Sequence, residues 1–283
     1  MIKTSVNTGV MSSGKVGVKR GVFICKNIYN RYSDLNAKQF MYATGISNNQ
    51  IKDAIYRLCI DLKMAGIFDK CTAIYPFVGG TATTHRFNLR DPRDLNAAFR
   101  LQFLGGGTHS ANGYSPGGVN GYANTFLATN ILTSNSHHFS AYCRTAQTAN
   151  AVVLGATNTL LPSYVQLNVS TGTGLFYYSG ALTTEVGTAL SNSTGFFVGT
   201  TRASNDRKTF RNGAQQGQLT TSINTTYNAL NVFVGARNTD GTPSQFSGQQ
   251  LAFTSIGLGL TDAETAIYNT IVQSFQTTLG RNV

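Results

Sequence analysis

The stretch that most limits what this chain can fold into runs from Phe196 to Gly257. Short apolar or alternating runs, Phe196–Thr200, Lys208–Arg211 and Leu230–Gly235, are punctuated by Asn212-Gly213 and Asp240-Gly241. Asn-Gly and Asp-Gly accept the positive φ angles of two-residue hairpin turns, so each marks a reversal between antiparallel strands. A fourth run, Gln250–Ile256, leads towards a helix. Antiparallel strands at this spacing predict a sandwich or barrel. With 41% hydrophobic residues and 30 glycines in 283 positions, the chain supports a real core and many turns without disulfide help.

Upstream of that stretch, Ile51, Ile55, Leu58, Leu62 and Ala65 form one stripe of a 3.6-period helix, with Ser47 or Asn48 as N-cap and Gly66 as stop. Tyr29–Gln50 shows no clear period. Cys71–Val78 alternates and reads as the first strand of the main domain, closed by Gly79-Gly80. His85–Pro92 reads as a loop or edge strand, Asp94–Gln102 as a strand, and Leu104–Gly121 as a long surface loop. Tyr122–Leu127, His138–Thr145, Asn150–Leu154, Tyr164–Val169 and Gly174–Ser179 follow as strands. The last element is a helix opened by a Thr261–Glu264 capping box, with Ile267, Ile271, Phe275 and Leu279 as its apolar side and Gly280 as its stop.

The order strand, Asn-Gly turn, strand, Phe-Val-Gly, long loop, Phe-Ser-Gly, strand, short helix resembles the laminin-G/concanavalin A-like jelly roll. Phe210-Arg211-Asn212-Gly213, Val232-Phe233-Val234-Gly235 and Phe246-Ser247-Gly248 sit on that family's three motifs. The tail Ala252–Arg281 and the stretches Ala73–Gly80 and Phe87–Phe99 are similar to bacteriophage virion proteins, particularly appendages carrying this fold. The implied fold is mostly β: an antiparallel sandwich over residues 71–283 with a C-terminal helix packed on it. Residues 1–70 would be a basic arm plus one helix, serving attachment or oligomerisation.

The formal charge of +11, from 22 basic and 11 acidic residues, is unevenly placed. Residues 1–40 carry seven bases, among them Lys15, Lys19, Arg20, Lys26 and Arg31, against the single acid Asp34. Such an arm suits an acidic protein partner; no dense basic run or nucleic-acid-binding fold accompanies it, so nucleic acid is not an expected partner. No apolar run approaches the ~20 residues of a membrane-spanning helix. The segment MIKTSVNTGVMSSGK lacks the continuous apolar stretch of a secretory signal. The cysteines Cys25, Cys59, Cys71 and Cys143 show no metal or redox spacing, which predicts free core thiols made in a reducing cytoplasm.

Catalytic signals are sparse. Glycoside hydrolysis needs two opposed carboxyl groups, and the chain has two glutamates, Glu185 and Glu264, the second engaged by its helix cap. Asp91 and Asp94 straddle Pro92 and read as loop-capping groups, and Asp206 and Asp240 lie in turns. His137 and His138 adjoin, so a strand sends them to opposite faces, whereas His85 and His109 stand isolated. Asn238 and Asp240 could offer oxygens to Ca²⁺, but hard cations favour clustered carboxylates, so no metal and no cofactor is assigned.

Binding is better supported. Thirteen tyrosines supply flat faces for sugar stacking, and Tyr177, Tyr178, Asn205, Asp206, Arg237, Asn238 and Asp240 are the candidate glycan contacts. The expected protein is a non-enzymatic head or tail fibre or spike subunit of a bacteriophage virion, lectin-like, binding a host glycan or another virion protein. The fibre resemblance implies a homo-oligomer, a trimer first. The alternatives are a polysaccharide depolymerase on the same fold and an architectural capsid-decorating or vertex protein.

Overall fold

The computed structural model describes residues 32–160, 163–180, 185–222 and 226–283. The helices are α1 (Leu35–Thr44), α2 (Asn49–Met64), the single-turn α3 (Ala82–His85) and α4 (Asp262–Thr278). The strands begin with β1 (Cys71–Tyr75), β2 (Gln102–Leu104), β3 (Thr108–Ser110), β4 (Gly113–Ser115), β5 (Tyr122–Ala128), β6 (His137–Cys143), β7 (Val152–Asn158) and β8 (Ser163–Ser170). They continue with β9 (Gly174–Gly180), β10 (Glu185–Thr188), β11 (Gly195–Ala203), β12 (Asp206–Arg211), β13 (Ala214–Leu219), β14 (Asn231–Val234), β15 (Arg237–Thr239), β16 (Thr242–Ser244) and β17 (Leu251–Gly257).

Among the described residues these strands form two facing sheets. One has eight strands, in the order β13-β12-β11-β6-β17-β4-β3 with β1 also on β17; the other has nine, in the order β10-β9-β8-β7-β14-β5-β2 with β15 and β16 attached at β7. All pairings are antiparallel except β15 against β7. The fold is therefore the mostly β sandwich that the turn chemistry predicts. Asn212-Gly213 (φ 49° and 80°) and Asp240-Gly241 (φ 51° and 91°) both close two-residue hairpins, pairing Arg211 with Ala214 and Thr239 with Thr242.

Between the sheets lies one core, with Phe139, Ala141, Phe197 and Ile256 from the first packed on Val165, Leu167, Leu175 and Tyr177 from the second. The outer face of the eight-stranded sheet builds another. There Phe196, Val198, Phe210 and Phe253 meet Tyr268, Val272 and Phe275 of α4, Ile55, Leu58 and Leu62 of α2, and Phe40 of α1. The helices before residue 70 and the sandwich after it thus share this core. No described helix is long and apolar enough to cross a membrane.

Four sequence expectations need correction. Asp94–Gln102 is not a strand: Asn96–Ala98 is a 3₁₀ turn, Phe99 is left-handed at φ 58°, and pairing starts only at Gln102. Leu104–Gly121 holds the small β3–β4 hairpin. Tyr29–Gln50 contains α1, capped by Asp34 (Oδ1 accepts from Ala37 N at 3.0 Å) and stopped by Gly45 at φ 65°. On α4 the buried face is Tyr268, Ile271, Val272 and Phe275, leaving Ile267 48% exposed. A strict four-residue spacing drifts about 40° per step around a 3.6-residue helix, so its first member leaves the contact.

Candidate functional site

Of the residues singled out from the sequence, Asn205, Asp206, Arg237, Asn238 and Asp240 fall on two hairpins at one end of the sandwich. The register Thr157–Tyr164–Gly180 brings the ends of β7, β8 and β9 together. The β11–β12 turn joins them because Arg207 Nε donates to Ser179 O at 3.1 Å. Asp240, on the β15–β16 turn, reaches the same end, its carboxylate accepting from Thr159 N at 3.2 Å.

On the first hairpin Asn205 is exposed, and Asp206 pairs with Arg202 at 3.4 Å. Arg207 beside them is 1% exposed, and burial pulls its guanidinium below the usual arginine range. It pins the hairpin through backbone carbonyls of Ser179, Ser204 and Thr221. On the second hairpin Asp240 is exposed, while Arg237 is half-buried with its Nε donating to Thr239 Oγ1 at 3.0 Å.

Two candidate contacts are structural instead. Tyr177 is fully buried between the sheets; its ring fills the space beside Gly199, where a Cβ would sit 2.3 Å from it, so it cannot stack on a sugar. Asn238 is 3% exposed, its Nδ2 donating to Asn231 O at 2.8 Å and its Oδ1 accepting from Gly241 N at 2.8 Å. Those bonds tie the second hairpin to β14. Tyr178 lies between Gln166 and Glu185 in register. Lys15, Lys19, Arg20, Lys26 and Arg31 lie outside the described residues.

No protein-family model and no curated protein matches this chain. Solved structures do. The binding domain of botulinum neurotoxin serotype D/C matches at TM-score 0.52 with 10% identity, over 73% of this chain and 53% of that one. A Trypanosoma rangeli sialidase in complex with a difluoro-KDN compound matches at TM-score 0.50 and 11% identity, over 79% of this chain and 40% of that one. Domain 4 of an extracellular arabinanase from Geobacillus stearothermophilus, in complex with arabinotriose, superposes at TM-score 0.44 and 15% identity, over 70% of this chain and 97% of that one. What the first two share with this chain is the sandwich fold.

The ionisable groups carry a further message. His137 and His138 do point to opposite faces of β6, as their adjacency predicts, and both are fully buried. His137 Nδ1 donates to Thr133 O at 2.9 Å and its Nε2 lies 3.0 Å from Ser179 Oγ. That is the spacing of a nucleophile and its base, but neither side chain has any exposed surface for a substrate to reach. His138 Nδ1 donates to Leu258 O at 2.6 Å, and its Nε2 accepts from Ser255 on the helix side. Burial lowers both imidazoles to about 4.

His85 and His109, read as isolated, are partners. Their Nδ1 atoms lie 2.9 Å apart, and His85 Nε2 accepts from Gly80 N at 3.2 Å, which makes His85 Nδ1 the donor of the pair. Burial, the neighbouring His109 and Arg281 together lower His85 to about 3. Sequence spacing carried no sign of this contact, since 24 residues separate the two rings.

Among the described carboxylates, Arg93 holds Asp91 below its ordinary range, and Arg100 and Arg86 do the same for Asp94. Burial pulls Glu264 up, but Lys70 and the Thr261 cap outweigh it and hold the group down. A general acid needs the opposite shift. Asp61, raised by burial, lies on α2 beside Arg57, away from the sandwich end. Cys59, Cys71 and Cys143 are free, buried thiols whose pKa values burial raises. No group of three or more metal-ligating side chains occurs among the described residues.

Proposed function

We propose that this chain is a non-enzymatic structural protein of a bacteriophage virion, a head or tail fibre or spike subunit. Its lectin-like sandwich projects from the particle and binds a host glycan or another virion protein. The observation that carries the reading is the one-sided architecture. Helices close the outer face of the eight-stranded sheet, while Asn205, Asp206, Arg237 and Asp240 project at the sandwich end on rigid two-strand turns. Polar side chains held by hairpins can meet sugar hydroxyls with little loss of conformational freedom. Away from the tips, Asp91 and Asp94, held ionised by arginines, supply acceptors and not the protonated acid that glycoside cleavage requires.

The resemblance to virion appendages supports a homo-oligomer, a trimer first, in which weak sites gain avidity from being displayed together. The basic segment before residue 40 supports attachment to an acidic partner on the particle. Light scattering of the purified protein at micromolar concentration tests the assembly. A stable oligomer is expected, and a strict monomer would count against the fibre reading. Mapping the subunit in an intact particle tests the rest; an internal position with no access to the host surface would overturn the display role.

A further inference from the structure

Helix α1 and the segment Phe87–Asp94 enclose an open groove of about 780 Å³. Small-molecule sites span ~300–1,000 Å³, which admits a di- or trisaccharide. The floor is apolar, made by Phe87 and Pro92. One wall is Tyr42, which at 92% exposure is the barest of the large apolar side chains among the described residues. Lys38 and Gln39 precede it by four and three positions, so all three share one helix face.

Asp91 and Asp94 form the other wall. Arg93 Nε donates to Asp91 Oδ1 at 2.7 Å, and Asp94 accepts from Arg86 and Arg100 at 2.9 Å each. Each carboxylate is thereby fixed in orientation while keeping unused lone pairs. The lining bases Lys38 and Arg93 match the two acids in number, and Arg86 and Arg100 add two more bases behind Asp94.

We propose that this groove is a binding site for neutral oligosaccharides. The apolar face of a pyranose ring stacks on Tyr42 above Phe87 and Pro92. Its hydroxyls donate to the arginine-held carboxylates of Asp91 and Asp94 and accept from Lys38 and Gln39. Because the acceptors are already oriented, binding requires little reorganisation. None of these contacts needs a charge on the ligand. This inference rests on the glycan-binding reading above and moves the contact from the hairpin tips to the helical side.

Saturation-transfer NMR and calorimetry with neutral gluco-, galacto- and mannotrioses, and with sialyllactose, test it on the full-length protein. A neutral trisaccharide is expected to bind at least as tightly as sialyllactose. Tyr42→Ala is expected to weaken it about tenfold, the scale of one aromatic contact, with Tyr42→Phe close to the wild type. Tyr42 packs against almost nothing, so both variants should fold, which circular dichroism checks. Unchanged affinity in Tyr42→Ala, with loss in Asn205→Ala or Asp240→Ala, would overturn the groove and leave the glycan reading standing. Preference for sialyllactose would overturn the neutral ligand. Failure of the wild type to bind any glycan would remove the underlying reading itself.

Discussion

On the eight-stranded sheet the outward positions Tyr142, Phe196, Val198, Phe210 and Phe253 are buried in the core built with the helices. On the nine-stranded sheet the matching outward positions include Gln102, Asn124, Gln166, Asn168 and Phe233, and none of its residues belongs to that helical core. The outer face of the first sheet is apolar and carries the helices, whereas that of the second is mixed, with Phe233 packed on Tyr122 and Gln166 and Asn168 buried among their neighbours. A strand with apolar neighbours on both sides loses its alternation, as in His137–Cys143, where every residue is buried. Ser163–Ser170 keeps the alternation of residue type, with Val165, Leu167 and Val169 in the core between the sheets, although Gln166 and Asn168 are buried as well, at 2% and 3% exposure. The described helices therefore belong to the fold of one sheet.

The sharpest way to break this contrast is to truncate one outward residue on each sheet. Phe253→Ala, emptying the layer between sheet and α4, should cost about 3–5 kcal/mol in urea unfolding, whereas Gln102→Ala, at an exposed position of the other sheet, should stay within ~0.5 kcal/mol. Equal losses would mean that the nine-stranded sheet is covered as well.

Acid should act next most strongly, through histidines on both sides of β6. The folded-state values of His137 and His138, lowered by burial to about 4, lie below the ordinary histidine value of 6.5. Between those limits the unfolded chain takes up protons that the folded chain refuses, so stability falls as pH drops from about 6.5 towards 4, and this contribution is flat above that window. At about 1.4 kcal/mol per pH unit for each group, the two together account for a few kcal/mol. His138→Gln and His137→Gln should each flatten part of the slope in denaturation midpoints from pH 7 to 4. A slope unaffected by either would refute the assignment.

Arg281 locks the helical layer to the sandwich from the far end of the chain. At 2% exposure its guanidinium donates to Phe77 O at 2.8 Å, Ala252 O at 3.1 Å and Pro76 O at 3.2 Å, and burial lowers its pKa to about 9. Arg281→Met leaves those buried carbonyls unpaired and should cost about 2–3 kcal/mol. Arg281→Lys should rescue little, because an ammonium cannot reproduce the planar fork. Smallest of the series, Thr261→Ala removes the capping box that opens α4 and should cost about 1 kcal/mol by the same assay.

What the sequence made legible follows from the same contrast. Turn chemistry was local, so Asn212-Gly213 and Asp240-Gly241 placed their hairpins, and the caps Asn48 and Thr261 placed α2 and α4. Helix α1 escaped because its buried face is only Ala37, Phe40 and Thr44, too narrow to show a period, although Asp34 and Gly45 bracket it. Alternation misled at Leu95–Leu101, where ion pairs from Arg86 and Arg100 to Asp94 hold a loop. At the candidate site, exposure followed position in the turn: Asn205 and Asp240 at the tips are open, while Asn238, inside its strand, is consumed by backbone bonds. Tyr177 could not be told from an exposed tyrosine, because the glycine that admits its ring, Gly199, lies on the other sheet. The His85–His109 contact and the carbonyl cradle of Arg281 join positions far apart in the chain, and no local pattern records them.

The proposed function requires the protein to hold a sugar chain without cleaving it. Incubating the protein with bacterial surface polysaccharide, then assaying both retained polysaccharide and new reducing ends, tests this directly. Retention with reducing ends at the level of the protein-free control is the predicted result. New reducing ends, or no retention at all, would contradict it.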